Sequence, residues 1–270
     1  MTSFAEIKAL RKKEEASLYI RICREFGLVV TWILVNLIPR VSANAVTISM
    51  LLINIGSCFL LFTAITGNDF KLLAISFVLF NFSICLDCVD GNIARLKKQQ
   101  SLHGVFLDRL VHNVSYPLLF FVTGMAFFNR TDSVIWIIVS VSAGILTELS
   151  PVEMAIENLE NLFAQQLLTR KTQIYTIEDH TSMLLSLGKK DKKGVDLENK
   201  FLLFVFQTYQ LFPFWNQLFI AVSFDLAFPS IKYSITLIYI VLFCVKRLTL
   251  QILRVGDRIA RIEEQLKLYS

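Results

Sequence analysis

Residues 87–112 read DCVDGNIARLKKQQSLHGVFLDRLVH, a polar stretch in an otherwise strongly apolar chain. Asp87 and Asp90 are three positions apart, so both carboxylates lie on one side of a helix. Gly91 and Ala94 continue that side with almost no side-chain bulk. The first half of the stretch therefore predicts a helix face that a ligand can approach closely.

The second half of the stretch repeats this arrangement. Gly104, Asp108 and His112 follow one another at intervals of four, which places them on about one face of the next helix. Carboxylates that converge across two antiparallel helices repel one another unless a cation lies between them. Because oxygen ligands favour Mg²⁺ or Mn²⁺, we predict that Asp87, Asp90 and Asp108 bind such an ion, which in turn holds a diphosphate.

The composition indicates a membrane protein. Hydrophobic residues make up 54% of the 270 residues, with 23 Phe and only 10 Gly. About 20 apolar residues suffice to cross the hydrocarbon layer. The predicted fold class is an all-α integral membrane protein with six transmembrane helices and an N-terminal interfacial helix. We expect spans at about 45–66, 71 to the first half of the polar stretch, 104–128, 133–154, 201–227 and 231–250.

The N-terminal part of the chain is expected to form a segment of its own, residues 1–40. Within it, residues 3–25 predict a weakly amphipathic helix, either on the cytoplasmic membrane surface or simply solvated. Residues 26–39 are apolar but short, which predicts an interfacial or half-buried segment. The membrane domain is expected over 41–270, with a cytoplasmic loop at 171–200 and a charged tail from 246 that prolongs the last helix. No cleavable signal peptide is expected.

The distribution of charge predicts the topology. The three expected outer loops hold one basic residue each, Lys71, Arg130 and Lys232, and the other Lys and Arg fall on the opposite side. Both termini and the polar stretch are therefore expected to face the cytoplasm. No basic-aromatic groove appears, so nucleic acid is not an expected partner. The CxxC pair Cys85 and Cys88 lies in a predicted membrane helix, which favours packing over redox or zinc chemistry.

The spacing of the polar stretch resembles the signature of a known family. It runs Asp87-x2-Asp90-Gly91-x2-Ala94-Arg95-x8-Gly104-x3-Asp108-x3-His112. The CDP-alcohol phosphatidyltransferases carry DxxDGxxAR, eight residues, and then GxxxDxxxD, so seven of the eight fixed positions match. Ser42–Thr47, SANAVT, resembles the P-N-x-x-T helix start of the same family. The chain departs at the last position, where the family has an aspartate proposed as general base.

The resemblance implies transfer of a substituted phosphate from a CDP-linked donor, CDP-diacylglycerol or a CDP-alcohol, to an acceptor hydroxyl. CMP would be released, as in the biosynthesis of phospholipids or related glycoconjugates. It further implies Mg²⁺ or Mn²⁺, an alcohol or phosphorylated-alcohol acceptor, membrane lipid as a partner, and a homodimer. The implied CDP-binding residues are Gly91, Ala94, Arg95 and Gly104.

His112 and Asp108 are the implied catalytic residues. An imidazole has an ordinary pKa of about 6.5, so His112 is suited to take a proton from the acceptor hydroxyl. It is also suited to ligate a second metal, or to pack in a site that has lost catalysis. Lys246 and Arg247, at the end of the sixth span, are candidates for binding a charged acceptor, although such residues commonly reach lipid head groups instead.

Other functions fit the sequence less well. Structural pairing of the aspartates with Arg95 and Arg109 does not require small residues at these spacings. A membrane prenyltransferase usually carries two aspartate-rich motifs, and nothing after Asp108 supplies a second. A transporter would place its carboxylates near the membrane midplane rather than at one end. A metal- and nucleotide-binding relative without catalysis stays an alternative because of His112.

Overall fold

The computed structural model describes residues 2–9, 18–147, 213–231 and 233–267, and in these ranges the chain forms helices and turns without a strand. The all-α prediction is confirmed for this part of the chain. The helices are α1 (Phe4–Ala9), α2 (Leu18–Leu37), α3 (Ala43–Gly67), α4 (Phe70–Leu96), α5 (Leu102–Thr131), α6 (Ile135–Thr147), α7 (Phe214–Ala227) and α8 (Ser234–Lys267), with a 3₁₀ turn at Pro229–Ile231.

Four helices are long and apolar enough to cross a membrane, namely α3, α4, His103–Thr131 of α5 and Ser234–Ile252 of α8. They agree with four of the predicted spans. Helices α6 and α7 are shorter, and the predicted spans 133–154 and 201–227 extend from them beyond the described residues. The predicted loop 171–200 also lies outside those residues. The count of six therefore stays a prediction, whereas the continuation of the last helix to Lys267 is confirmed.

Helices α3, α4 and α5 form the centre of the bundle. The turn between α3 and α4 has Asn68 in the left-handed conformation at φ 57°, and the Asp69 side chain accepts a hydrogen bond from the Lys71 amide (2.8 Å). Deeper in the bundle, the Asn54 amide donates to Ser115 Oγ (2.8 Å) and accepts from the Ser83 hydroxyl. These bonds tie the three helices together where no water is available.

A short connection joins α4 to α5 and reverses the direction of the chain. The Lys98 backbone is left-handed at φ 53°, and the Ser101 side chain caps α5 by accepting from the Gly104 amide (3.1 Å). The Lys97 ammonium donates to the carbonyls of Pro39 (2.8 Å) and Val41, which precede α3. The connection therefore holds the start of α3 beside the end of α4, where the polar stretch lies.

Helix α2 packs along the second half of α4 and runs in the same direction. The Tyr19 hydroxyl donates to Asn81 Oδ1 (2.7 Å), and the Asn92 amide donates to Thr31 Oγ1 (3.2 Å). Between these bonds, Gly27 lies against Cys88. The residues predicted as two segments, 3–25 and 26–39, therefore meet within one continuous helix from Leu18. Its position relative to the membrane surface stays a prediction.

Helices α7 and α8 are joined by a buried carboxylate. Asp225 is fully buried near the end of α7, and its oxygens accept hydrogen bonds from the amides of Ile235 (3.1 Å) and Thr236 (2.7 Å) in the first turn of α8. These amides have no partner within their own helix, so Asp225 caps α8 from its neighbour. Helix α7 begins at Phe214, directly after Pro213.

Candidate active site

The antiparallel arrangement of α4 and α5 brings Asp87, Asp108 and His112 together. Nε2 of His112 lies 3.3 Å from Asp87 Oδ1 and 3.4 Å from Asp108 Oδ1. One ligand atom from each of the three residues lies within 4.8 Å of the other two. Asp108 and His112 are one turn apart on α5, as their spacing predicts. We call these three residues the carboxylate–histidine cluster.

The donor set of this cluster fits a divalent cation. Two carboxylates and an imidazole supply oxygen and nitrogen ligands, and Mn²⁺ accepts both kinds while Mg²⁺ prefers oxygen. Asp108 Oδ1 is buried yet accepts no hydrogen bond in the structure. Its neighbour His112 Nε2, at 3.4 Å, does not form a hydrogen bond with it, and a bound cation would satisfy this oxygen.

Asp90 has a different environment from the other two aspartates. It is only 8% exposed, and its Oδ2 accepts a hydrogen bond of 2.6 Å from the hydroxyl of Thr47, near the start of α3. It is not a member of the carboxylate–histidine cluster. The structure therefore groups Asp87 and Asp108 with His112, and metal binding by Asp90 stays a prediction. Thr47 was not among the predicted site residues, although it ends the SANAVT segment that resembles the family's helix start.

A cavity of about 530 Å³ lies between the start of α3 and the connection of α4 to α5. We call it the larger cavity. All four residues predicted to bind the CDP moiety line it, together with Asp90 and Asp108: Gly91, Ala94, Arg95 and Gly104. A Cβ atom at Gly104 would lie 3.5 Å from Asn44 Oδ1, and one at Gly91 would lie 3.4 Å from the Arg95 guanidinium. Larger residues at either glycine would therefore narrow the cavity.

A smaller cavity of about 280 Å³ adjoins the larger one. The two cavities share Asp90, Gly91, Arg95 and Asp108. The smaller cavity adds Asp87, Cys88 and Asn92 from α4, and Arg24 and Leu28 from α2. The predicted site residues of α4 thus lie where the larger and the smaller cavity meet. The smaller cavity is also lined by α2, which the sequence analysis did not connect with the site.

Arg95 is held by a chain of hydrogen bonds that begins in α2. Its Nη2 donates to Asn92 Oδ1 (2.7 Å), and the Asn92 amide donates to Thr31 Oγ1 (3.2 Å). The Thr31 hydroxyl in turn donates to the carbonyl of Gly27 (2.6 Å). The guanidinium is therefore directed by contacts between α4 and α2 as well as by its own helix.

Aromatic rings connect the cluster to α7. The ring of His112 stacks on Tyr116 with a centroid distance of 5.4 Å, and Tyr116 stacks on Trp215 at the same distance. Tyr116 also meets the edge of Phe214 at 5.3 Å. These contacts support the imidazole through the ring of Tyr116.

The two predicted acceptor residues lie away from both cavities. The Arg247 guanidinium lies over the rings of Phe243 (5.3 Å) and Phe214 (6.0 Å). Neither Lys246 nor Arg247 lines the larger or the smaller cavity. Phe214, which lies under the Arg247 guanidinium, also contacts Tyr116. Binding of an acceptor by this pair stays a prediction.

Comparison with known proteins supports the resemblance found in the sequence. Residues 40–166 match the family model described as CDP-alcohol phosphatidyltransferase. No curated protein matches the chain. The matched segment contains α3, α4 and α5, and therefore both halves of the polar stretch and every member of the carboxylate–histidine cluster. Over residues 40–166, the chain is therefore similar to the CDP-alcohol phosphatidyltransferase family.

Proposed function

We propose that this protein transfers a substituted phosphate group from a CDP-linked donor to an acceptor hydroxyl, with release of CMP, in the synthesis of phospholipids or related glycoconjugates. The family domain supports phosphatidyl transfer in lipid biosynthesis. The observation that carries the finer proposal is the position of the carboxylate–histidine cluster beside two adjoining cavities.

The donor is proposed to lie with its cytidine in the larger cavity. Gly91, Ala94 and Gly104 leave room there for a flat base and a ribose, and Arg95 offers a guanidinium to the phosphates. Asp87, Asp108 and Asp90 would hold Mg²⁺ or Mn²⁺. When bound, such an ion offsets the charge of the diphosphate and of the departing CMP.

The proposed reaction is a displacement at the phosphorus atom distal to cytidine. The acceptor hydroxyl oxygen forms a bond to that phosphorus, and the bond from the phosphorus to the oxygen bridging to CMP breaks. The electron pair of the broken bond leaves with CMP. The imidazole of His112 takes the hydroxyl proton, and the stacked ring of Tyr116 keeps the imidazole in place.

Several features of the proposal go beyond the site itself. The carboxylate–histidine cluster and both termini are proposed to face the cytoplasm, because basic residues are concentrated on that side of the predicted topology. Lys246 and Arg247 are proposed to bind the acceptor, and the protein is proposed to act as a homodimer. Six spans, with residues 1–40 as an N-terminal segment before the membrane domain 41–270, complete the proposal.

The test is CMP release by purified, detergent-solubilised protein given Mn²⁺ or Mg²⁺, a panel of CDP-linked donors and candidate alcohols. Acceptor-dependent CMP is expected from the wild type. Asp108→Asn should lower the rate at least a hundredfold, because it removes a charge that would face the ion. Asp132→Asn is the matched control: it makes the same chemical change at the exposed far end of α5, where asparagine tolerates the left-handed φ of 54°. Full activity of Asp108→Asn would refute the assigned role.

Variants of His112 separate the possible roles of the imidazole. A general base predicts that His112→Ala loses turnover but still binds Mn²⁺, and that His112→Asp keeps part of the activity. A metal ligand predicts that His112→Ala also loses Mn²⁺ affinity. Absence of turnover with every donor, together with metal-dependent binding of CDP, would favour the non-catalytic alternative. A second aspartate-rich site, as a prenyltransferase would need, is not found among the described residues.

A further inference from the structure

Helix α2 lies outside the segment matched by the family model, yet it supplies a basic residue to the site. Arg24 lines the smaller cavity together with Asp87, Asp90 and Asp108. The side chain is partly exposed, so it is accessible from the cavity. Asp87 and Asp108 belong to the cluster that fits a divalent cation, and a guanidinium beside such a site is suited to binding an anion.

Three contacts fix the part of α2 that carries Arg24. Leu28, one turn later on the same face, is buried and lines the same cavity. Gly27 lies so close to α4 that a Cβ atom there would be 2.9 Å from the Cys88 Cβ. Four residues further on, Thr31 bonds with Asn92. Arg24 is therefore directed at the cavity by packing rather than by a flexible segment.

The same contacts bring a second guanidinium to the cavity. Arg95 lines it from α4 and is directed by the hydrogen bonds through Asn92 to Thr31. A bound divalent ion would offset much of the negative charge of the carboxylates, leaving the two guanidinium groups to attract an anion. Guanidinium groups bind phosphate oxygens in a bidentate, strongly directional manner that an ammonium does not reproduce.

We propose that Arg24 and Arg95 form a phosphate-binding subsite in the smaller cavity, next to the proposed cytidine site in the larger one. The phosphate is either the distal phosphate of the CDP-linked donor or the phosphate of a phosphorylated acceptor. This inference rests on the proposed function and adds α2 to its binding machinery. Arg24 is a binding residue in this arrangement, with no part in proton transfer.

The experiment measures equilibrium binding of CDP and of CMP to the purified full-length protein with Mn²⁺ present. Arg24→Gln should weaken CDP binding about ten- to a hundredfold, the usual effect of losing a hydrogen bond to a charged group. CMP, which lacks the distal phosphate, should lose less than about twofold in affinity. Arg24→Lys should fall between the wild type and Arg24→Gln. The matched control is Arg21→Gln, which removes an exposed α2 arginine that lines neither cavity.

A second measurement distinguishes the two sources of phosphate. If CDP binding is unchanged in Arg24→Gln, inorganic phosphate is titrated into protein already holding Mn²⁺ and CMP. A loss of phosphate affinity of tenfold or more would then assign the subsite to the acceptor. Unchanged affinity for both CDP and inorganic phosphate, in a variant with wild-type thermal stability, would overturn the inference, as would failure of the wild type to bind either ligand.

These binding measurements do not depend on turnover. If the wild type binds CDP through Arg24 but releases no CMP with any donor and acceptor, the catalytic proposal fails and the phosphate subsite stands. If CMP is released and Arg24→Gln binds both ligands normally, the subsite fails and the catalytic proposal stands. Arg24→Lys keeps the positive charge and the long side chain. If Arg24→Gln does not fold, the affinities for CDP and inorganic phosphate are measured on Arg24→Lys instead.

Discussion

Gly27→Ala is expected to impair the site from a position that contributes no chemistry. A Cβ atom at residue 27 would lie 2.9 Å from the Cys88 Cβ, whereas carbon atoms in ordinary contact are about 3.5–4.0 Å apart. The Cys88 Cβ is fixed to the α4 backbone, so no change of rotamer relieves the contact. Helix α2 must therefore move away from α4 by about 0.6–1.1 Å.

That displacement has two measurable effects. Overpacking of this kind typically costs about 1–3 kcal/mol, from which the higher helix propensity of alanine recovers up to about 1 kcal/mol. The midpoint of thermal unfolding should fall accordingly. Because misplacement of binding groups by about 1 Å can lower a rate about a hundredfold, kcat/KM for the CDP-linked donor should fall between about tenfold and a hundredfold.

Two further variants make this test specific. Gly56→Ala is the control, since a Cβ atom there would have no neighbour within 4 Å, and it should leave activity and stability unchanged or slightly improved. Cys88→Gly combined with Gly27→Ala moves the small residue to the other helix and should restore part of the activity. Wild-type activity and stability in Gly27→Ala alone would refute the view that close packing of α2 on α4 positions the site.

Two other substitutions probe opposite ends of the bundle. Thr47→Val removes the hydrogen bond to the buried Asp90, worth about 1.5–3 kcal/mol, and should lower kcat/KM for the donor about tenfold or more, while Thr47→Ser retains activity. Thr63→Val is the control, because the Thr63 hydroxyl donates to carbonyls of its own helix, and this variant should behave as wild type. Equal activity of Thr47→Val and Thr63→Val would contradict the role of Thr47. Arg130→Ala removes a 2.7 Å bond to a carbonyl at the end of α3 and the contact of 4.7 Å with the Tyr233 ring. It should lower thermal stability by about 1–3 kcal/mol and leave CDP binding intact, so a selective loss of binding would contradict this assignment.

The arrangement within one helix could be predicted from the sequence because it follows from helical periodicity. The spacing of Asp108 and His112 places them one turn apart, and the turn at Asn68 and Asp69 has residues suited to ending one helix and capping the next. The convergence of α4 and α5 follows from the short connection between them. The resemblance also predicts that the two glycines, Ala94 and Arg95 bind the CDP moiety; all four line the larger cavity, and their binding of CDP stays a prediction.

The contacts between distant helices could not be predicted in the same way. Thr47 and Asp90 are 43 positions apart, and periodicity carries no information about which residues of separate helices meet. The apolar part of α2, residues 26–37, is short, so hydropathy predicts that it touches the membrane but not that it follows α4. The register of α2 against α4 depends on close packing at Gly27. A glycine in an apolar segment does not by itself show which helix packs against it.

The linings of both cavities come from residues between Arg24 and Asp108, in the first half of the chain. This order matters for biogenesis, because a membrane protein leaves the ribosome from its N-terminus and inserts while synthesis continues. By the time α5 has emerged, every cavity-lining side chain has been delivered to the bilayer, and α7 and α8 are still to be translated. An arrest of translation after α5 would therefore release a truncated chain that already contains both cavities' residues but lacks the Phe214 and Trp215 rings that support Tyr116 behind His112.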